Sequence, residues 1–197
     1  MLRALCLDLM GTLVTDPYRE AVRAATGLDL EDLAQLKNPD AWPAFEAAAI
    51  DEDEYARRFF TDSTSEHTFD LQAFHRVRRA GYRFLPGMEA LLDDTAGRCE
   101  RYVASNYPVW VEELATRFRL RERTEGVWAS YHLGVRKPRA AFYLRLLARI
   151  DRTPGECLFV DDSADNCAGA EAVGMRAHLF VDADDLRARL RAEGLTV

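Results

Sequence analysis

Apolar residues recur along the chain in two rhythms. Short apolar runs at 3–9 (RALCLDL), 101–104 (RYVA), 127–130 (VWAS), 157–160 (CLFV) and 176–180 (RAHLF) stop at polar or glycine-containing turns. Runs of this length and composition predict five buried strands. Between them, 110–118, 139–150, 164–173 and 184–190 carry apolar residues at helical spacing. Strands alternating with helices of about 10 residues predict an α/β core, a Rossmann-like, doubly wound parallel sheet with helices on both faces.

The block 15–85 departs from that alternation. It holds no convincing strand, and Pro17, Gly27, Pro39, Pro43, Gly81 and Pro86 punctuate it. Helices are expected at 18–26, 30–36, 41–49, 53–61 and 69–80. The chain therefore divides into a core domain, 1–14 with 86–197, and an inserted helical cap domain, 15–85, whose two ends should lie side by side. The polar stretch 61–67 (TDSTSEH) is expected as an exposed loop of the insert, and Trp42, Phe45, Phe59 and Phe60 as its own small core.

Composition narrows the classes of function. With 48% hydrophobic residues in 197, the chain can bury enough surface to offset its ordering entropy, which excludes disorder. No apolar run approaches the roughly 20 residues of a membrane span. The start of the chain, interrupted by Asp8, does not read as a signal peptide. Cys6, Cys99, Cys157 and Cys167 form no Cys-x-x-Cys pair, so reduced thiols and a cytoplasmic setting are expected. A net charge of -7 argues against nucleic acid and anionic membranes as partners and leaves room for a small phosphorylated metabolite, bound by a monomer or homodimer.

Open parallel sheets bind ligands outside the carboxyl ends of their strands. There the sequence places Asp8, then Ser105-Asn106, then Arg136-Lys137-Pro138, then Asp161-Asp162-Ser163. Three clustered carboxylates repel one another unless Mg²⁺ or Lys137 neutralises them. Ser105 can bond a phosphate oxygen, Lys137 can cancel charge on a moving phosphoryl group, and Asp8, backed by the amides of Gly11 and Thr12, can attack phosphorus. The set points to phosphoryl transfer.

The motifs Asp8-Leu9-Met10-Gly11-Thr12-Leu13, Ser105-Asn106, Lys137-Pro138 and Phe159-Val160-Asp161-Asp162-Ser163 closely resemble the four-motif signature of the haloacid dehalogenase-like hydrolases, with a type 1 cap after the first strand. The resemblance implies that Asp8 is the nucleophile, that Ser105 binds the phosphoryl group, and that Lys137 orients Asp8. It also implies that Asp162, assisted by Asp161, holds Mg²⁺ together with Asp8 and the backbone carbonyl of Met10. Asn106, Gly11, Thr12 and Tyr107 are the expected further substrate contacts. A narrower resemblance covers Lys37-Asn38-Pro39-Asp40-Ala41-Trp42, Phe45-Glu46, 50–54, 58–62, Tyr107-Pro108 and Gly134-x-Arg136-Lys137-Pro138. These stretches look like the flavin mononucleotide (FMN) hydrolase group, which implies hydrolysis of FMN to riboflavin and phosphate.

The departure is Met10. Phosphatases of this kind usually carry Asp there, which protonates the leaving oxygen and then activates water, a role worth about 10²–10⁴-fold in rate. Met in the FMN hydrolase group implies that hydrolysis survives the change. Three other readings stand beside that one: a binding or regulatory module that has lost turnover, a dehalogenase, and a phosphonatase using Lys37. Two acids at 161–162 suit a metal rather than a haloacid, and Lys37 reads as a charge at a helix end. His132, His67, His75, Asp165 and Asn166 are weak acid–base candidates, and Glu46 and the run 51–54 read as solvated or helix-terminal charges.

Overall fold

A computed structural model describes residues 2–62 and 67–197. Its sheet is β1 (Ala4–Leu7), β2 (Glu100–Ser105), β3 (Gly126–Ala129), β4 (Cys157–Asp161) and β5 (Arg176–Leu179), all parallel, in the order β3-β2-β1-β4-β5. The expected sheet is present, with strand ends moved by one or two residues; Ser130, read as the end of the third strand, instead opens helix α9. In register, Leu7 aligns with Val103 and with Val160, so the residues that follow these three strand positions emerge together at one edge.

The helices are α1 (Tyr18–Thr26), α2 (Leu30–Leu33), α3 (Ala41–Glu46), α4 (Glu52–Arg57), α5 (Leu71–Gly81), α6 (Met88–Asp94), α7 (Val111–Arg117), α8 (Leu120–Arg123), α9 (Ser130–Leu133), α10 (Ala140–Ile150), α11 (Ala164–Glu171) and α12 (Ala183–Ala192). Strand periodicity sorts the core. Leu5 and Leu7 face the side covered by Leu91, Leu92, Val111, Leu114, Leu186 and Leu190 of α6, α7 and α12. Ala4 and Cys6 face the other side, against Phe142, Tyr143, Leu146 and Ala170 of α10 and α11. Local signals set the helix ends: Asp51 and Asp70 accept hydrogen bonds from the amides of Glu54 and Ala73, and Gly27 closes α1 at φ 72°.

Helices α1 to α5 all lie between β1 and β2, and the two chain passages into them are paired. The Thr15 amide donates to Arg83 O at 2.9 Å and the Leu85 amide to Leu13 O at 2.9 Å. The expectation of a separate core for this insert is corrected. Phe45, Tyr55, Phe59 and Phe74 belong to the same buried cluster as Leu5 and Leu7, joined through Tyr107 and Trp110. Trp110 meets Phe45 at 4.9 Å and Phe74 at 5.3 Å between ring centres, and Arg78 of α5 lies 4.4 Å above its ring. About 70 residues of short helices cannot enclose that many large rings alone, so the rings close against α7 and the loop before it. Of the polar stretch 61–67, residues 63–66 lie outside the described residues.

Candidate active site

Asp8 follows β1 directly, its amide held by Val160 O at 2.8 Å, so the neighbouring strand fixes where its side chain emerges. The Lys137 ammonium reaches across the sheet edge to three oxygens: Asp8 Oδ1 at 2.8 Å, Asp161 Oδ2 at 2.6 Å and Ala104 O at 2.9 Å. Lys137 is 3% exposed and Asp161 fully buried, so these are interior ionic bonds. Asp161 cannot turn away, because its Oδ1 accepts from the Ser163 amide and from Asn166 Nδ2, both at 2.9 Å. Asn106 brackets the lysine, its Oδ1 accepting from the Lys137 amide at 2.7 Å and its Nδ2 donating to Lys137 O at 3.0 Å.

Carboxylate oxygens of Asp8, Asp161 and Asp162 all lie within 4.8 Å of one another. Burial pushes the Asp8 carboxyl up to about 6, against the pull of Lys137 and with the help of Asp161. Burial also raises Asp162, with Asp161 adding to it. For Lys137, burial works against the charge, but Asp8 and Asp161 outweigh it and hold the ammonium above its ordinary range. The cluster is thus rich in negative charge even with Lys137 present. A hard dication suits it, because such ions take carboxylate and carbonyl oxygens.

Behind Asp8 the chain makes a tight turn. Leu9 O accepts the amides of Leu13 at 3.0 Å and Val14 at 2.8 Å, while no amide among these turn bonds goes to Met10 O. Gly11 sits at φ +74°, and a Cβ there would lie 2.4 Å from Asp162 Oδ2, so only glycine lets this turn pass the second acidic motif. The hydroxyls of Ser105 and Thr12 are buried without a hydrogen-bond partner. Two orphaned hydroxyls beside a lysine are a ready receiver for phosphate oxygens.

The structure therefore brings together Asp8, Gly11, Thr12, Ser105, Asn106, Lys137, Asp161 and Asp162, with the Met10 backbone beside them. Tyr107 is placed differently from a simple substrate contact. It is buried, its hydroxyl bonds that of Tyr82, and its ring stands 6.4 Å from Trp42. Lys37 is not at a helix end, since α2 stops at Leu33. Its Nζ donates to Tyr18 Oη at 2.7 Å and sits 4.9 Å from that ring. His132 bonds Glu112 at 2.7 Å on α7, and His75 bonds Arg78 and Glu52.

Sequence reasoning missed Glu46. Its side chain is 4% exposed and its Oε2 lies 2.6 Å from Arg136 Nε, the residue preceding Lys137. Burial pushes Glu46 up to about 7 in spite of Arg136. Arg78 was missed as well, a fully buried guanidinium that donates to Glu113 at 2.9 Å and ties α5 to α7.

Comparison with known proteins agrees with this geometry. The profile of the haloacid dehalogenase-like hydrolases matches residues 2–174. The chain is a haloacid dehalogenase-like hydrolase. This hydrolase is similar to flavin mononucleotide hydrolase 1 of the Arabidopsis thaliana chloroplast, 34% identical over 98% of this chain and 78% of that one. It is also similar to a sesquiterpene phosphatase of Aspergillus oryzae, 28% identical over 88% and 87% of the two chains. Among solved structures, a predicted hydrolase of the same family from Porphyromonas gingivalis superposes with a TM-score of 0.78 at 21% identity, over all of both chains. A Bacteroides thetaiotaomicron family member, crystallised with magnesium and inorganic phosphate, superposes with a TM-score of 0.71 at 16% identity over 92% and 96%. No helix among the described residues is long and apolar enough to cross a membrane.

Proposed function

We propose that this hydrolase cleaves a small phosphomonoester through an aspartyl-phosphate on Asp8, with Mg²⁺ as cofactor and FMN as substrate. The observation that carries the reading is the strand-edge cluster itself: Asp8 bonded to a buried lysine, two further carboxylates within 4.8 Å, and unpaired Ser105 and Thr12 hydroxyls beside them. Asp8, Asp162 and the Met10 carbonyl would hold the metal, with Asp161 behind them bonded to Lys137. Bound there, Mg²⁺ would screen the phosphate from the carboxylates and polarise the P–O bond.

The chain's own groups supply the rest. One Asp8 oxygen is fixed on Lys137, leaving the other to attack phosphorus as the bond to the leaving oxygen breaks. Ser105 and Thr12 donate to the phosphoryl oxygens, and Lys137 compensates charge on them. Water then displaces phosphate from Asp8. Residues 15–85 act as a cap on the core of 1–14 and 86–197, and opening between the paired passages at 13–15 and 83–85 lets substrate in.

FMN is favoured by the relative named for it, which matches across nearly the whole of this chain, insert included. A second relative is named a sesquiterpene phosphatase, so the substrate has to be decided by the residues that differ, not by the fold. The test is phosphate release from FMN, a sesquiterpenyl phosphate and several sugar phosphates, with Mg²⁺ and with chelator, using Asp8→Asn as the blank. Mg²⁺-dependent release, highest for FMN, is expected. Preference for another ester would overturn the substrate alone; silence across the panel would favour a binding module and overturn the enzyme reading.

A further inference from the structure

Met10 leaves an unmet need. Expelling an alkoxide such as the ribityl oxygen of FMN requires a proton, and hydrolysing the acyl-phosphate requires one to be removed from water. A thioether does neither. Asp8, Asp161 and Asp162 are committed to phosphorus, Lys137 and the metal site, so the group must come from elsewhere.

Glu46 ends α3 of the insert and is docked on both loops that carry the site. Its backbone carbonyl accepts from Ser130 Oγ at 2.7 Å, and that same hydroxyl receives the Tyr107 amide at 3.0 Å, two residues beyond Ser105. Its carboxylate lies 2.6 Å from Arg136, one residue before Lys137. No other insert carboxylate among the described residues is buried to this degree. Asp16, the closest rival, is more exposed than Glu46 and lines an open cavity of about 440 Å³; burial and the neighbouring Asp162 raise its carboxyl, and its carboxylate accepts from the Tyr18 amide. His132 and His75 are each engaged by a glutamate, Glu112 and Glu52 respectively, and the other ring nitrogen of each accepts from Ala129 or Arg78.

We propose that Glu46 is the acid–base residue of this hydrolase, supplied by the insert in place of the side chain missing at position 10. The inference rests on the phosphatase reading above. In the first step the Glu46 carboxyl gives its proton to the leaving oxygen as the P–O bond breaks and Asp8 takes the phosphoryl group. In the second, the Glu46 carboxylate accepts a proton from the water that attacks phosphorus, and Asp8 leaves as carboxylate. Each turnover returns Glu46 to its starting state, consuming one water and releasing alcohol and phosphate.

The groups around Glu46 support this use. Arg136 and Lys137 on the core side and the Trp42 indole on its own helix favour the charged form, the Tyr55 phenol of α4 lies within its field, and burial outweighs the favourable contacts. The result, near 7, lets both protonation states exist at neutral pH, where general acid–base groups are most effective. Because the carboxyl sits on the insert, its contact with Arg136 of the core exists only while insert and core are packed together as they are here.

A structural clamp made by Glu46 and Arg136 is the competing account, and leaving-group dependence separates the two. Wild type, Glu46→Gln, Arg136→Gln and Asp16→Asn are compared on FMN and on p-nitrophenyl phosphate, whose leaving group needs no proton. For Glu46→Gln, kcat/KM for FMN is expected to fall by about 100-fold or more. Its kcat/KM for p-nitrophenyl phosphate should stay within about threefold of wild type, while kcat drops and phosphorylated Asp8 accumulates, because the second step still lacks its base. Arg136→Gln should weaken both esters alike. Equal losses of kcat/KM on the two esters for Glu46→Gln, or the leaving-group signature appearing in Asp16→Asn instead, would overturn the assignment to Glu46 and leave the phosphatase standing. A wild type inactive on both esters would overturn the two together.

Discussion

Replacing Lys137 with Met removes an ammonium and keeps an unbranched apolar stem of similar length. The stem has a place to stay, since Lys137 Nζ lies 5.3 Å from the Phe159 ring and 5.9 Å from that of Phe142. The charge has no substitute. It bonds Asp8 at 2.8 Å, Asp161 at 2.6 Å and the Ala104 carbonyl at 2.9 Å. Asp161 stays in place through Ser163 and Asn166, so the two carboxylates are left facing each other in the interior. Removing one partner of a buried ionic network costs about 3–5 kcal/mol. That is a large share of the roughly 5–15 kcal/mol by which a domain is stable. Urea unfolding of Lys137→Met in chelator should show this loss, and excess Mg²⁺ should recover part of it by binding the folded carboxylates. A loss below about 1 kcal/mol in chelator would refute the claim that an ionised lysine–carboxylate network holds this edge together.

Three further outcomes follow from single residues. Gly11→Ala puts a methyl 2.4 Å from Asp162 Oδ2 at φ +74°, so Mg²⁺ affinity by calorimetric titration should fall at least about tenfold; unchanged affinity would remove Asp162 from the metal site. Ser105→Ala should lower kcat/KM by about 10–100-fold, the value of a hydrogen bond to a charged group, while urea unfolding shows no loss of stability, because the hydroxyl is unpaired in the free protein. Glu46, at about 7 in the fold against an ordinary 4.5, binds its proton more tightly folded than unfolded. Its contribution is therefore full below 4.5 and is lost as pH rises through 7, a change of about 3 kcal/mol for a shift of this size. Glu46→Gln lacks that decline, so in urea unfolding it should gain on wild type between about pH 5 and 8. Parallel pH profiles for the two proteins would show that Glu46 is not held in this way.

The core was legible because parallel strands turn sequence position into spatial position. Once 3–9, 101–104 and 157–160 read as neighbouring strands, Asp8, Ser105 and Asp161 had to share an edge, and Leu7 does align with Val103 and Val160. The insert was less legible, because the stripe of a short helix does not say what it packs on. Phe45 and Tyr55 proved to share a cluster with Trp110 of the core rather than close a separate one. Glu46 was misread for the same reason: its neighbour Phe45 marked the buried side of α3, but a carboxylate there looked like surface charge until Arg136 and Ser130 were seen opposite it. One signal did exist, since Met10 stands where phosphatases of this kind usually carry a carboxylate. Helix α6, with apolar Met88, Leu91 and Leu92 at helical spacing, was readable but lay in a stretch assigned to no element.

The central claim is that Asp8 carries the phosphoryl group during turnover. Acid quenching of the enzyme within its first turnover of FMN and Mg²⁺, followed by mass spectrometry of the peptide containing Asp8, tests it most directly. The account predicts phosphate on Asp8 during the reaction, none in Asp8→Asn, and, with p-nitrophenyl phosphate in place of FMN, more in Glu46→Gln than in wild type. Hydrolysis of FMN at full rate with no phosphorylated Asp8 at any time, or turnover by Asp8→Asn, would contradict it.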